Sequence, residues 1–527
     1  MFVTTNDVLT YGDFLMTETR DAVAGADRPG ALAPRYRWRW AALFVILAAE
    51  VMDMLDALIT TIAAPTIRAD LGGAATTIQW LTAGYTLAMA VGLITGGRLG
   101  DLYGRKRMFL IGALGFTTGS LMCALAQSPE MLIGSRVLQG LFGAVMLPQG
   151  LGLIKEMFPP KEIGAAFGAF GPVMGLSSVG GPTLAGWLVQ ADLLGTGWRM
   201  IFLINLPLGV AALLAGLKYL PRPRPAAPTP RVDAAAVPAS RLDLIGATLA
   251  SIGAGLIVYP LVQGRELGWP AWTFAMMAAS TAVFAIFAWY EVRVQRAGGD
   301  PLIVPGLFRK RAFSGGLVVG LVFFSGMTGF VLVFSLYTQL GLNYSPLKAG
   351  LAQIPWSLGM VAGFGVAQAV QRFGRKVIHV GTVTMAGGVV GMVLTLQAAG
   401  LAVTPWQLAP ALVVTGLGMG LLMAPFFDIV LAGVEPHETG SAGGTLTAIQ
   451  QLGASLGVAV LGTIFFGLLG APSAAHPDGG FGTAMTTTLW IEVGMLALTF
   501  IVAFLLPTRA EHSDEPTAAA EPAPLAA

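Results

Sequence analysis

Apolar runs of about 20 residues or more recur from residue 41 to residue 507, separated by charges, Gly/Pro turns and short polar loops. About 20 consecutive apolar residues is the length at which an α-helix crosses the hydrocarbon core of a bilayer. A transmembrane β-barrel would need segments of about ten residues alternating apolar and polar. The pattern therefore predicts an all-α polytopic membrane protein. Composition agrees: 11% of the 527 residues are charged and 55% are hydrophobic, against about 25% charged in soluble chains.

The runs predict fourteen spans, at about residues 41–67, 77–97, 108–126, 131–154, 164–190, 199–217, 242–264, 272–292, 313–340, 349–370, 377–399, 407–431, 441–469 and 485–507. An even number places both termini on one side. If that side is the cytoplasm, it holds 25 of the 30 Lys and Arg residues; Arg68, Arg199, Arg265 and Lys348 lie outside, and Arg136 lies within the fourth span. The positive-inside rule thus predicts a multi-pass protein of the cell (inner) membrane with both termini cytoplasmic. Residues 1–40 form a polar tail without a signal-peptide core, so the first span is its own targeting signal. A net charge of +2 gives no basic surface for nucleic acid, and a single cysteine, Cys123, cannot form an intrachain disulfide.

The segment PRPRPAAPTPRVDAAAVPASR, residues 221–241, is an extended, semi-rigid cytoplasmic linker by composition. It divides six spans from eight. DLYGRK, from Asp101 to Lys106, follows span two, and QRFGRK, from Gln371 to Lys376, follows span ten. This repeat predicts a six-helix half at 41–220, an inserted helix pair at 242–295 and a second six-helix half at 296–508; the acidic, Ala/Pro-rich tail 509–527 is expected to be disordered. Parallel halves with a substrate site at their interface are a transporter plan.

Span one carries Glu50, Asp53 and Asp56. Steps of three residues rotate the side chain by about 60° each, so the three lie within about 120° of one face and about 9 Å of rise. Ionisable groups in hydrocarbon are costly and face a bundle interior or a water-filled cavity. Burial and mutual repulsion both favour binding a proton, which is what a proton-coupled carrier needs. Arg136 in span four is the natural counter-ion, and its pairing with a span-one acid would compete with the proton. The alternative is that the acids merely pair with Arg136 for assembly, although one arginine cannot neutralise three carboxylates. Asp428 reads as a solvated or structural acid, and Glu492 as a weaker coupling candidate.

The loop GGRLGDLYGRKR, Gly96 to Arg107, combines Gly97 and Gly104, suited to a tight turn, with Asp101, which can engage Arg105, Lys106 or a helix N-terminus as a cytoplasmic latch. It can also be read as an ordinary basic loop. It matches the pattern Gly-x-x-x-Asp-x-x-Gly-Arg-Lys and so resembles the signature loop of the major facilitator superfamily. In the second copy Gln371 stands where the acid would be, which leaves no charge latch expected there. LDALITTIAAP, Leu55 to Pro65, resembles the first-helix motif of the fourteen-helix drug:proton antiporters, with Thr61 in place of the usual asparagine. RVLQG from Arg136, GPTLAG from Gly181 to Gly186 (with Ala185 for a glycine), WRMIFLINLPLG from Trp198 and TGSAGGTLTAIQQLGASLGVAVLG from Thr439 resemble further motifs of that family, in order.

The resemblance implies the major facilitator fold, with proton coupling at Asp56. It also implies a hinge at Gly181, Pro182 and Gly186, and a cavity formed by spans one, four, nine and twelve with support from two, five, ten and thirteen. Candidate substrate contacts on those spans are Gln139, Gln149, Phe334, Tyr337, Gln339, Gln353, Trp356, Gln450 and Gln451. Amides and aromatic faces suit amphipathic or cationic aromatic ligands, although aromatics at helix ends equally serve as interfacial anchors.

No Gly-x-x-x-x-Gly-Lys-Ser/Thr sequence, metal-ligand constellation or activated nucleophile is present, so neither an enzyme nor a cofactor is expected and energy should come from an ion gradient. The expected function is export of drug-like or antibiotic small molecules from the cytoplasm in exchange for protons. A monomer suffices, and membrane lipids surround it. Lipid or metabolite export, symport, or a non-transporting receptor on the same fold are the alternatives.

Overall fold

The computed structural model describes residues 36–159, 169–221, 243–299, 301–432, 439–470 and 479–508, with residues 162, 166 and 434. The N-terminal 35 residues, the Pro-rich linker beyond Pro221 and the C-terminal tail from 509 lie outside the described residues.

The N-terminal half contains α1 (Arg39–Leu71), α2 (Ala75–Tyr103), α3 (Arg105–Ala124), α4 (Pro129–Met157), α5 (Phe170–Ala191) and α6 (Asn205–Tyr219), the last led in by the helical turn Met200–Leu203. Two helices follow, α7 (Leu244–Gln263) and α8 (Ala271–Arg296). The C-terminal half contains α9 (Arg311–Leu336), α10 (Ile354–Ala369) after the short helix Pro346–Leu351, α11 (Arg375–Ala399), α12 (Pro405–Ala432), α13 (Thr439–Gly467) and α14 (Phe481–Val502). Among the described residues eleven helices are long and apolar enough to cross a membrane, or twelve when α2, bent by 47° between Leu93 and Thr95, is counted. The chain is a multi-pass membrane protein. α1 extends beyond the expected 41–67 at both ends and differs from the eleven in holding Glu50, Asp53 and Asp56 at its middle.

Local chemistry sets the breaks. Ser128 caps α4, accepting from the Met131 N–H at 3.2 Å with Pro129 at the first helical position, and Asp243 caps α7 from the Gly246 N–H at 2.8 Å. Gly104 ends α2 and Gly374 precedes α11 with φ of +92° and +53°, a region in which a Cβ is strained. The repeated GRK thus makes the same sharp turn in each half.

The halves meet along α2–α13, α1–α9 and α5 with the helix Pro346–Leu351. Pro65 has no N–H to give the Thr61 carbonyl four residues earlier. Ser335 of α9 donates to that carbonyl at 3.2 Å, and Gln339 donates to the Ile62 carbonyl at 2.8 Å. Gln79 of α2 donates to the Val458 and Ala459 carbonyls and to Thr463 Oγ1 of α13, and Ser455 donates to the Ala83 carbonyl. These contacts lie towards the Leu71 end of α1, the end remote from Arg39. The inserted pair sits against this seam: the Glu266 carboxylate accepts from the Thr76 N–H, and Thr463 donates to the Leu261 carbonyl of α7.

Candidate functional site

Asp56 and Arg136 form an ion pair, each 1% exposed. The second Asp56 oxygen accepts from Gln139 Nε2 at 2.9 Å and from Asn205 Nδ2 at 2.8 Å. Both amides also donate to Ser120 Oγ, at 2.7 and 3.2 Å. Arg136 donates to Gln139 Oε1 at 2.6 Å and, through Nε, to the Leu81 carbonyl at 3.2 Å. Arg136 and Gln139 of α4 and Asn205 of α6 thus converge on the α1 carboxylate, and Ser120 of α3 and the Leu81 carbonyl of α2 accept their remaining hydrogens. Burying such a pair is expensive, and its geometry must supply every missing hydrogen bond to hold it. The Asn205 carbonyl oxygen alone in this set lacks a donor.

One turn back along α1, the Tyr85 hydroxyl donates to the Asp53 carboxylate, and the Tyr85 ring lies under the Arg136 guanidinium at 4.1 Å from centroid to Cζ. Tyr85 therefore touches both Asp53 and the partner of Asp56. Asp53 is buried with this single donor; Glu50, another turn back, is half-buried. The three acids share one face of α1 as their spacing predicts, but their environments are graded from a saturated carboxylate at Asp56 to a half-buried one at Glu50.

The signature loop is held by charge. Arg105 bridges Asp101 at 3.0 Å and Glu156 of α4 at 3.2 Å, and Lys106 donates to the Leu217 and Leu220 carbonyls at the end of α6 at 2.9 and 2.7 Å. Gly97 lies beside Pro148, and Gly104 makes the turn. In the second half the Gln371 amide donates directly to the Asp428 carboxylate, and Arg375 donates to the Phe504 and Leu506 carbonyls after α14. An amide–carboxylate contact replaces the charged triad.

The candidate substrate residues do not form one surface. Gln139 belongs to the Asp56 network, and Gln149 donates to the Gly96 and Val145 carbonyls at 2.7 and 3.0 Å, fastening α2 to α4. Gln339 is committed to the seam, and Gln451 contacts the Met89 sulfur at 3.0 Å. Phe334 and Tyr337 are buried at the end of α9, and Gln450 is half-buried. Gln353 Nε2 and Trp356 Nε1 are buried donors without an acceptor among the described residues. Of the fifth-helix motif, Gly181 packs against Leu58, while a Cβ at Gly186 would meet the Pro346 carbonyl and one at Gly350 the Pro182 carbonyl. Pro182 and Gly186 of the motif therefore meet the helix Pro346–Leu351 backbone to backbone. Tyr85, Ser120, Asn205 and Glu156 escaped the sequence reading. Asn205 alone had a signal, its place in WRMIFLINLPLG.

The family model described as Major Facilitator Superfamily matches residues 42–242 and 234–458. The chain belongs to the major facilitator superfamily. It is therefore a transporter and not an enzyme. A probable actinorhodin transporter of Streptomyces coelicolor is 52% identical over 88% of this chain and 78% of its own length. A puromycin resistance protein of Streptomyces alboniger is 36% identical over 90% and 93%, and a tetracenomycin C resistance and export protein of Streptomyces glaucescens 34% over 86% and 81%. Among solved structures, a POT family transporter bound to a thioalcohol-conjugated peptide superposes with a TM-score of 0.61 over 87% of this chain and 95% of its own, at 15% identity. The xylose transporter XylE of E. coli does so at 0.57 over 88% and 96%, at 12% identity. These structures share the fold.

Proposed function

We propose that this chain is a fourteen-span antiporter of the inner membrane, both termini cytoplasmic, that exports drug-like or antibiotic small molecules in exchange for protons. The observation that carries the proton reading is the buried network of Asp56, Arg136, Gln139 and Asn205, continued by Asp53–Tyr85 and Glu50 towards the end of the bundle where α1 begins. A proton delivered along this row must displace Arg136 to reach Asp56. Breaking that pair frees groups on three other helices at once, which links proton binding to helix movement. The span count rests on adding α1, α5 and the bent α2 to the eleven helices above. The cytoplasmic end is the one carrying the Arg105, Lys106, Arg375 and Lys376 loops, by the positive-inside rule. Hydrogen bonds at the opposite end favour a conformation open to the cytoplasm. Export of antibiotics is supported by relatives named for actinorhodin, puromycin and tetracenomycin.

The test is purified protein in liposomes holding a pH-sensitive dye, with an imposed proton gradient and a panel of cationic, zwitterionic and neutral aromatic compounds. Wild type should show compound-dependent proton flux that Asp56→Asn loses while remaining folded. Undiminished flux in the mutant would refute the assignment.

A further inference from the structure

Glu492 stands at the middle of α14. Other faces of that helix are exposed through Trp490, Leu498 and Ile501, yet Glu492 itself is 1% exposed, and neither carboxyl oxygen has a hydrogen-bond partner. It lies over Gly326 of α9: a Cβ built there would sit 2.7 Å from Oε2 and 2.8 Å from Oε1. Glycine leaves the room that the carboxyl occupies.

Among the described residues no charge balances it. α9, α11 and α13 pack against α14. α9 carries only Arg311, at its first residue, and α11 carries Arg375, Lys376 and His379 in its first two turns. α13 carries no titratable group, and Tyr337 follows α9. Arg311 is about 22 Å of helical rise from Gly326, and Tyr337 about 16 Å. His379 packs on Phe500 and Phe504, about 12 to 18 Å along α14 from Glu492. A carboxylate buried without a partner is prohibitive, whereas the acid form is tolerable. Thr488 and Thr499 lie on the same buried face of α14, four residues before and seven after, and donate their hydroxyl hydrogens to the Ala484 and Met495 carbonyls. Both hydroxyl hydrogens are thus committed to the backbone of α14, and neither is donated to Glu492.

We propose that Glu492 is a second proton-binding site, in the C-terminal half, occupied in this conformation and separate from the α1 acids. Ionisation needs water or a cation at Gly326, so the proton leaves when α9 and α14 part there. Any contribution to transport rests on the proton-coupled reading above; the binding itself does not.

The experiment uses the full chain in liposomes, without a transported compound. Infrared titration follows the protonated-carboxyl band of wild type, Glu492→Gln, Asp56→Asn and Gly326→Ala, and an indicator-dye pH jump counts protons taken up per chain. Glu492→Gln should lose one titrating carboxyl band and take up one proton fewer. Asp56→Asn should keep that band, and Gly326→Ala should shift it. An unchanged band and proton count in Glu492→Gln, or a Glu492 band that never titrates while the protein stays folded, would overturn the proposal. If the band titrates but Asp56→Asn keeps its compound-dependent proton flux in the dye-loaded liposomes described above, the site stands and the antiport assignment falls.

Discussion

Arg136 satisfies Asp56, Gln139 and the Leu81 carbonyl from a single planar head group and rests on the Tyr85 ring. Lysine offers one nitrogen and no stacking plane. Arg136→Lys should therefore cut compound-driven proton flux at least tenfold with membrane insertion retained. Complete removal of a partner from a buried pair costs about 3–5 kcal/mol, so Arg136→Ala should in addition lower the yield of folded protein, seen as a lost monodisperse peak in detergent chromatography. The sequence made the acids and their one cation legible, because charges in hydrocarbon are conspicuous. It could not show that Asp56 is saturated while Asp53 has one donor and Glu50 none. That gradation depends on Tyr85, Ser120 and Asn205, uncharged residues from α2, α3 and α6 whose convergence is set by helix crossing. The same limit explains the candidate substrate residues: Gln149 and Gln339 had the right chemistry, but backbone carbonyls of neighbouring helices already occupy their amides.

At the scale of elements, proline and glycine decide where the halves touch. Pro65 opens the α1 ladder for Ser335, and Gly186 and Gly350 let α5 and the helix Pro346–Leu351 meet backbone to backbone. Gly350→Val would press a branched side chain on the Pro182 carbonyl, and overpacking of this kind costs about 1–3 kcal/mol. The variant should transport poorly and expose a cysteine placed at Thr183 to a membrane-impermeant thiol reagent faster than in otherwise unaltered protein; equal labelling would show that the seam does not close there. Helix positions were readable from apolar length to within about six residues, α2 running to Tyr103 against an expected 97. The use of the GPTLAG motif as an inter-half seam was not, since small residues serve tight packing within a half equally well.

For the whole molecule, the hydrogen bonds from Gln79, Ser335, Gln339 and Ser455 place one end of the bundle in a closed state. A Cβ at Gly462 would lie 3.0 Å from Gln79 Cγ. Cysteines at 79 and 462, with Cys123 replaced, should cross-link on oxidation and abolish transport, with recovery on reduction. Transport that continues through a complete cross-link would mean that this end never opens. The GRK repeat predicted matching turns before α3 and α11, which Gly104 and Gly374 make, whereas the place of α7 against the seam followed from no sequence pattern, because lipid-facing and helix-facing surfaces are both apolar.

Lys106 and Arg375 each reach from an early loop to the terminal carbonyls of the last helix in their own half. During synthesis the cation is in place before that helix emerges, and the carbonyls it receives are those a helix end leaves without donors. Each half can thus fasten first helix pair to last as soon as its own final helix arrives. The N-terminal bundle can be complete while the ribosome is still translating the rest.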